Sequence, residues 1–332
     1  MHEDPNSVEI LEDISEKEIL DRLKIYMDVG QIDNDTALIQ NKNKLIINTD
    51  VLVEDIHFSK QTTSPQDVGW KAIATNFSDL ACSGVDEILG ITIGLILPPS
   101  TSWKWVDDLY RGMNNALKKY GGKLLGGDIS KGKEKVISIT AIGTQGRLNL
   151  DRRNAKAGDF LVTSGSHGLS RLGLALLLSE PLPKCSTISE KLKRKAISAH
   201  KTPSAPIDPL KKLIYCKPHN LPWRAAGTDS SDGLLEAIYS LCISSDCAAV
   251  INKKNIPKDD EWPIGNEWDK WCLSGGEDYE LVVSLPPEWA EKWIEIMPFS
   301  KIIGEMKKGI PRISWDDGLE IKKEDYLEFK HF

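Results

Sequence analysis

The stretch WKAIATNFSDLACSGVDEILGITIGLIL, residues 70–97, carries two periodicities in succession. Trp70, Ile73/Ala74, Phe77 and Leu80/Ala81 recur at helical spacing, so one apolar stripe runs down a helix from Trp70 to Ser83. Gly84 follows as a natural helix C-cap. Ile88 to Leu97 is then a continuous apolar run that Pro98-Pro99 stops, which reads as a buried strand. Helix followed by buried strand is the unit of layered α/β architecture.

The same alternation extends in both directions. Upstream, Lys44 to Asp50 reads as a strand, and Ser15-Glu16-Lys17-Glu18 as a capping box opening a helix to about Met27. Downstream, Val106, Leu109/Tyr110, Met113, Leu117 and Tyr120 stripe a helix from Ser102 that Gly121-Gly122 ends. Lys123 to Leu125 is a short strand leading into a Gly126-Gly127-Asp128 turn, and Val136 to Gly143 is another strand. Gly146 to Gly158 is a basic, glycine-containing link, which divides the chain into domains at 1–146 and 147–332. Beyond it, Phe160–Ser164, Ala248–Asn252, Tyr279–Leu285 and Lys301–Glu305 read as strands. Leu169–Leu178, Ile188–His200 and Pro287–Met297 read as helices, and a turn at Thr228 to Gly233 opens a further one. The fold class is α/β, grading into α+β.

Several functions are excluded by composition. A net charge of −7 over 332 residues does not suit a nucleic-acid surface. The longest apolar run, Ile88 to Leu97, is too short to cross a bilayer, and the N-terminus lacks the pattern of a signal peptide. The six cysteines are scattered, with no Cys-x-x-Cys pair, as expected of free thiols in a reducing compartment. A cytoplasmic protein that binds neither nucleic acid nor membrane is the expectation.

The common phosphate-binding motifs are missing: there is no Gly-x-x-x-x-Gly-Lys-Ser/Thr loop and no His-Arg-Asp set. Gly165-Ser-His-Gly168 is half a dinucleotide fingerprint, and a plain strand-to-helix turn explains it better. Asp recurs instead in small-residue turns and on polar helix faces: Asp33-Asn-Asp35, Asp50, Asp79, Gly127-Asp128 and Asp229-Ser-Ser-Asp232. Magnesium is usually held by one or two carboxylates plus phosphate oxygens, so several ions on a triphosphate need several such residues. Each Asp alone is equally a turn or cap residue. Asp79 is harder to explain that way, because Asp is a poor helix former and this one lies mid-helix.

At these residues the sequence resembles the thiamine-monophosphate kinase family of the aminoimidazole ribonucleotide synthetase-like superfamily. Ile-Asp-Asn-Asp-Thr-Ala (32–37) is similar to the family's Ile-Gly-Asp-Asp-Ala-Ala, and Asn-Thr-Asp-Val-Leu-Val-Glu-Asp-Ile-His-Phe (48–58) to its Thr-Thr-Asp-x-Leu-Val-Glu-Gly-Val-His-Phe. Residues 70–81, Gly-Gly-Asp (126–128), Asp-Ser-Ser-Asp-Gly-Leu (229–234), Ser-Gly-Gly-Glu-Asp-Tyr-Glu-Leu (274–281) and the His-Phe ending follow in order. The resemblance implies a two-domain fold, with an N-terminal domain that forms a homodimer and a C-terminal domain packed over an ATP cleft. It implies direct transfer of the ATP γ-phosphoryl group to thiamine monophosphate, with several Mg2+ ions on the phosphates. By position, Asp35, Asn48 (through its backbone carbonyl), Thr49, Asp50, Asp79, Asp128, Asp229 and Asp232 would be metal ligands. Tyr110, Gly127, Asp128, Arg152 and Ser231 would contact ATP, Arg153 being an equal alternative to Arg152. His57, Glu277 and Tyr326 would contact the thiamine moiety. No general base is implied, because the acceptor phosphate is already ionised at pH 7.

Asp33 and Asn34 stand where the family has Gly and Asp, Glu328 stands where Gly is usual, and Thr-Pro-Ser-Ala-Pro (202–206) replaces an Arg-Pro-x-Pro-Arg segment without either Arg. Two other functions compete: a superfamily enzyme with a different acceptor, and an inactive nucleotide-binding scaffold. Blander readings compete for single residues. His57 also reads as a strand-end histidine and Glu277-Asp278 as a helix-to-strand turn. His2, His167, His200 and His219 read as surface residues, the tryptophans at 103, 105, 223, 262, 268, 271, 289 and 293 as core or interface, and Lys191–Lys195 as a solvated helix face.

Overall fold

The computed structural model describes residues 37–39, 44–184 and 187–322. The expected helix at 15–27, together with Asp35, Cys185 and Tyr326, lies outside the described residues.

The first sheet contains β1 (Ala37–Ile39), β2 (Leu45–Val53), β3 (Val85–Leu97), β4 (Lys123–Lys131) and β5 (Val136–Gln145), in the order β1-β2-β5-β3-β4. All its pairs are antiparallel except β3 with β4. Two helices, α1 (Pro65–Cys82) and α2 (Trp103–Tyr120), belong to this half. The second sheet takes β6 (Phe160–Thr163), β7 (Ala226–Asp229), β8 (Cys247–Ile251), β9 (Leu281–Leu285), β10 (Lys301–Lys308) and β11 (Ile313–Trp315), ordered β11-β8-β10-β6-β9-β7. Its helices are α3 (Leu169–Leu178), α4 (Glu190–Lys201), α5 (Ile207–Tyr215), α6 (Leu234–Ser245), α7 (Asn266–Ser274) and α8 (Pro287–Ile296).

Helix α1 starts five residues before the apolar stripe. Ser64 caps it by accepting from the Asp67 amide while the Asp67 carboxylate accepts from the Ser64 amide, a capping box with Pro65 at the first turn. The helix is buried on nearly every side, polar residues included. It packs on β2 and β5 and against α2, and the apolar cluster around it takes in Leu281, Val283 and Leu285 of β9 and Trp289 and Trp293 of α8. The two helices nearly touch: a Cβ on Gly69 would lie 2.0 Å from the Leu109 carbonyl oxygen, and one on Gly112 would lie 1.9 Å from that of Gln66.

Two differences from the sequence reading concern glycine. Gly126-Gly127-Asp128 is not a turn but the middle of β4, paired with β3 along its length. Gly127 is needed there for close approach, since its Cβ would sit 2.2 Å from the Ile93 carbonyl oxygen. Strand β7 was hidden in Ala-Gly-Thr-Asp for the same reason: a glycine-containing tetrapeptide carries no alternation. Helices α5 and α7 also lie outside the expected elements; each has only 9 residues, too few to display a periodicity.

Cys82, Cys216, Cys242, Cys247 and Cys272 are thiols rather than disulfides, in line with the sequence reading. His167 and His200 are buried, contrary to the surface reading, His219 is exposed as expected, and His2 lies outside the described residues. Trp262, Trp268, Trp271, Trp289 and Trp293 are core, whereas Trp103 is 77% exposed at the start of α2 and Trp223 is also exposed. The loop at 202–206 works as a strap without arginine. The Trp70 indole donates to the Pro203 carbonyl at 2.7 Å, and the Ala205 amide donates to the Tyr120 hydroxyl at 3.0 Å, so the loop joins α1 and α2 to the second half.

Candidate active site

A cleft of about 870 Å³ opens between the halves, lined by β2 and the loop after it, α1, α3, the β7–α6 turn and the α7–β9 loop. It gathers Thr49, Asp50, His57, Asp79, Asp229, Ser231, Asp232 and Glu277 from four separate stretches of the chain.

Each side chain is placed by a local cause. Asp79 is the one half-exposed position in the otherwise buried 71–82 part of α1, and the Asn48 amide donates to it at 2.8 Å and to Asn76 at 3.1 Å. The Asn48 amide oxygen is buried without a partner among the described residues. Asp229 ends β7 and accepts from the Ser78 hydroxyl at 2.6 Å and the Ser231 hydroxyl at 2.9 Å. The turn that follows is locked to the α7–β9 loop: the Glu277 amide donates to the Ser231 carbonyl at 2.6 Å, and Gly233 packs on the Ser274 backbone. His57 Nδ1 accepts from the Val53 amide at 3.1 Å, so the neutral ring carries its proton on Nε2.

Glu277 and Tyr279 both have positive φ, +56° and +52°. Neither is glycine, and such a conformation persists only where its surroundings over-determine it. The Glu277 carboxylate lies 2.6 Å from the Lys71 ammonium and 3.2 Å from His200 Nδ1. Burial alone would raise its pKa, but Lys71 and His200 outweigh burial and hold it at about 2. Asp278, next along, points the other way and accepts from the Gly168 and Ser170 amides at the start of α3. Burial raises it to about 7 despite those two donors. The segment is therefore both the helix-to-strand turn and a source of a cleft residue. Burial pushes the Tyr279 hydroxyl well above its usual range, and the charges of Glu277, Asp50, Asp229 and Asp232 add to that.

Other expected residues lie apart from the cleft in the single chain. Tyr110 lines a separate cavity of about 640 Å³ with Asp107, Asn114, Leu117 and Lys123. Gly127 and Asp128 are exposed on β4. The register aligns Asp128 with Gly94, Ser138 and Val51, on the face of the sheet opposite Asp50, and three strand spacings from β2 amount to about 14 Å. Arg152 Nε donates to the Thr228 hydroxyl at 3.2 Å, beside Asp229. Arg153 is engaged by Asp151, at 2.9 and 2.6 Å, which separates the two arginines.

Among the described residues no three His, Cys, Asp or Glu side chains converge to hold an ion by themselves. The hard oxygen donors of the cleft, together with the orphaned Asn48 oxygen, fit Mg2+, which keeps waters and shares phosphate oxygens. Lys71, His200, Ser78 and Tyr279 were not singled out from sequence. For Lys71 and Ser78 the available signal was a set of polar residues in the mostly apolar α1; His200 and Tyr279 carry no such local signal.

Residues 33–145 match the family model for the AIR synthase related protein, N-terminal domain. Across its whole length the chain is 59% identical, over 333 aligned positions, to the thiamine-monophosphate kinase of Prochlorococcus marinus, covering 100% of both. The chain belongs to the thiamine-monophosphate kinase family. The family's Synechococcus elongatus member is 36% identical over 327 residues, covering 97% of this chain and 98% of that one. Among solved structures, AaThiL complexed with AMPPCP and TMP superposes with a TM-score of 0.82 at 29% identity, covering 98% of this chain and 99% of that one. The mixed α/β architecture is thus the AIR synthase-like fold.

Proposed function

We propose that the chain transfers the γ-phosphoryl group of ATP to thiamine monophosphate, giving thiamine diphosphate. The observation that carries this is full-length similarity to thiamine-monophosphate kinases at 59% identity. The cleft supports it by setting the Asp50, Asp79, Asp229 and Asp232 carboxylates beside His57 and Glu277.

In this reading Asp50, Asp79, Asp128, Asp229 and Asp232, with Asp35, Thr49 and Asn48, would hold the magnesium ions. Bound there, Mg2+ would offset the charge on the phosphate oxygens. Positioning supplies much of the remaining catalysis of a phosphoryl transfer. Arg152 and Ser231 approach the nucleotide from the Asp229 side, and the Tyr110 cavity takes the adenine. His57 offers Nε2–H and Glu277 a permanent carboxylate to the cationic acceptor, with Tyr326 a third contact. The acceptor phosphate is its own nucleophile.

The partner is a second copy of the chain. Thr49 and Val51 stand exposed on the face of the first sheet away from α1, and β4 is an exposed edge strand carrying Leu124, Leu125 and Ile129, an edge that isolated chains rarely leave bare. Packing through this surface would bring Gly127 and Asp128 to the nucleotide. The division into domains at 1–146 and 147–332 is supported by the change of sheet between Gln145 and Phe160. No described helix is long and apolar enough to cross a membrane, in keeping with a cytoplasmic enzyme.

The test is formation of thiamine diphosphate with ATP, Mg2+ and thiamine monophosphate together. Absence of product at saturating substrates, with ATP still bound, would leave a different acceptor or an inactive scaffold. Rescue of a thiamine diphosphate auxotroph would exclude both.

A further inference from the structure

We propose that Lys71 and His200 are positioning residues for the acceptor: they hold the Glu277 carboxylate between them, and Lys71 also ties it to the backbone of His57. The inference rests on the reading of His57 and Glu277 as thiamine contacts and deepens it.

Lys71 lies on α1 with a side chain only 1% exposed. A lysine at that depth is tolerated as a cation only beside a carboxylate, because its desolvation is otherwise uncompensated. Its ammonium meets Glu277 Oε1 at 2.6 Å and the His57 carbonyl oxygen at 3.4 Å. The second Glu277 oxygen lies 3.2 Å from His200 Nδ1, in a ring that is 3% exposed and itself 3.2 Å from the Ser170 hydroxyl. Both oxygens are thus engaged from the protein side, by α1 and by α4, and the carboxylate cannot turn. What remains accessible is the 31% of the Glu277 side chain that faces the cleft.

Glu277 and His57 come from loops far apart in the chain, one before β9 and one after β2. The Lys71 ammonium reaches both, so it sets the spacing between the two groups that would grip the acceptor. The left-handed backbone at Glu277 has the same consequence, since its φ of +56° is maintained only while the side chain is held. Lys71 also moderates the charge. A thiazolium ring would meet a carboxylate already partnered by a cation, which can bind the ring and still release it.

The experiment is steady-state kinetics on Lys71→Met, His200→Ala, His200→Gln, Glu277→Gln and the double variant Lys71→Met/Glu277→Gln, with thiamine monophosphate and ATP varied separately. Lys71→Met and His200→Ala should each raise KM for thiamine monophosphate about 10- to 100-fold, the range found when residues that orient metal ligands are removed, with KM for ATP unchanged. His200→Gln, which keeps a donor, should recover part of the loss. The double variant should be no worse than Glu277→Gln alone, because Lys71 acts through Glu277. If Glu277→Gln leaves the acceptor KM unchanged, the reading of Glu277 as a contact fails. If Glu277→Gln raises it but Lys71→Met and His200→Ala do not, or if the double variant is additive, the positioning proposal fails. Should Lys71→Met not fold, the two His200 variants carry the same test, and equal KM for all three His200 side chains overturns the proposal.

Discussion

Replacing Ser78 by Ala removes one hydrogen bond, and the structure indicates what that bond contributes. Ser78 is fully buried on α1, and its hydroxyl donates at 2.6 Å to Asp229, itself only 5% exposed. A hydrogen bond to a charged group contributes about 1.5–3 kcal/mol where water cannot replace the lost donor. The second hydroxyl on Asp229, from Ser231, sits in the half-buried turn facing the cleft, so water can take its place. Ser231→Ala should therefore cost about 1 kcal/mol or less. At about 2 °C per kcal/mol for a chain of this size, Ser78→Ala lowers Tm by about 3–6 °C and Ser231→Ala by no more than about 2 °C. Calorimetry without nucleotide or metal measures both. In activity assays both variants should lose about tenfold or more in kcat, because Asp229 is no longer held in one orientation. An unchanged Tm for Ser78→Ala, or a larger loss for Ser231→Ala, would refute the burial argument.

Three further expectations follow from the same geometry. Asp50→Ala should abolish thiamine diphosphate formation while leaving the circular dichroism spectrum and Tm near those of the parent; a near-normal kcat would remove Asp50 from the ligand set. Gly112→Ala forces a Cβ to within 1.9 Å of the Gln66 carbonyl oxygen, and the resulting separation of α1 and α2 should cost about 1–3 kcal/mol or more, read as a fall in Tm. Glu277, held at about 2 from an ordinary 4.5, contributes stability that is fully present above pH 4.5 and lost as pH falls through 2. At 1.36 kcal/mol per unit, reduced for the exposed third of the side chain, this is about 2–3 kcal/mol. The acid limb of a Tm-against-pH curve should accordingly be shallower in Glu277→Gln, and an identical limb would count against the ion pair.

Local signals sufficed for some elements and not for others. Helix α2 begins and ends where the sequence reading puts it, because Ser102 caps it and Gly121 leaves it at φ +98°. Asp50, Asp79, Asp229 and Asp232 could be grouped in advance because carboxylates in small-residue contexts stand out in a chain without other phosphate motifs. Strand β4 could not, since Gly-Gly marks either a bend or a close approach and only the neighbouring strand decides which. Lys71 and His200 were opaque for a related reason. A buried cation is recognisable only by its partner, and Glu277 lies in a loop that the sequence around Lys71 does not predict. The strap at 202–206 illustrates the converse: its missing arginines stood out, yet its hydrogen bonds are made by backbone groups that no side-chain comparison reveals.

Helix α1 also bears on how the protein is made. Its inner face can pack on the first sheet as soon as β5 is complete, but its other sides wait for β7 and β9. From Cys82 at its end to Leu285 at the end of β9 is about 200 residues, roughly 10–40 s of translation at about 5–20 residues per second. Throughout that interval the nascent chain carries a helix with exposed apolar flanks and a Lys71 ammonium without its Glu277 carboxylate. Completion of β9 is thus the step that covers those flanks and brings Glu277 to that ammonium.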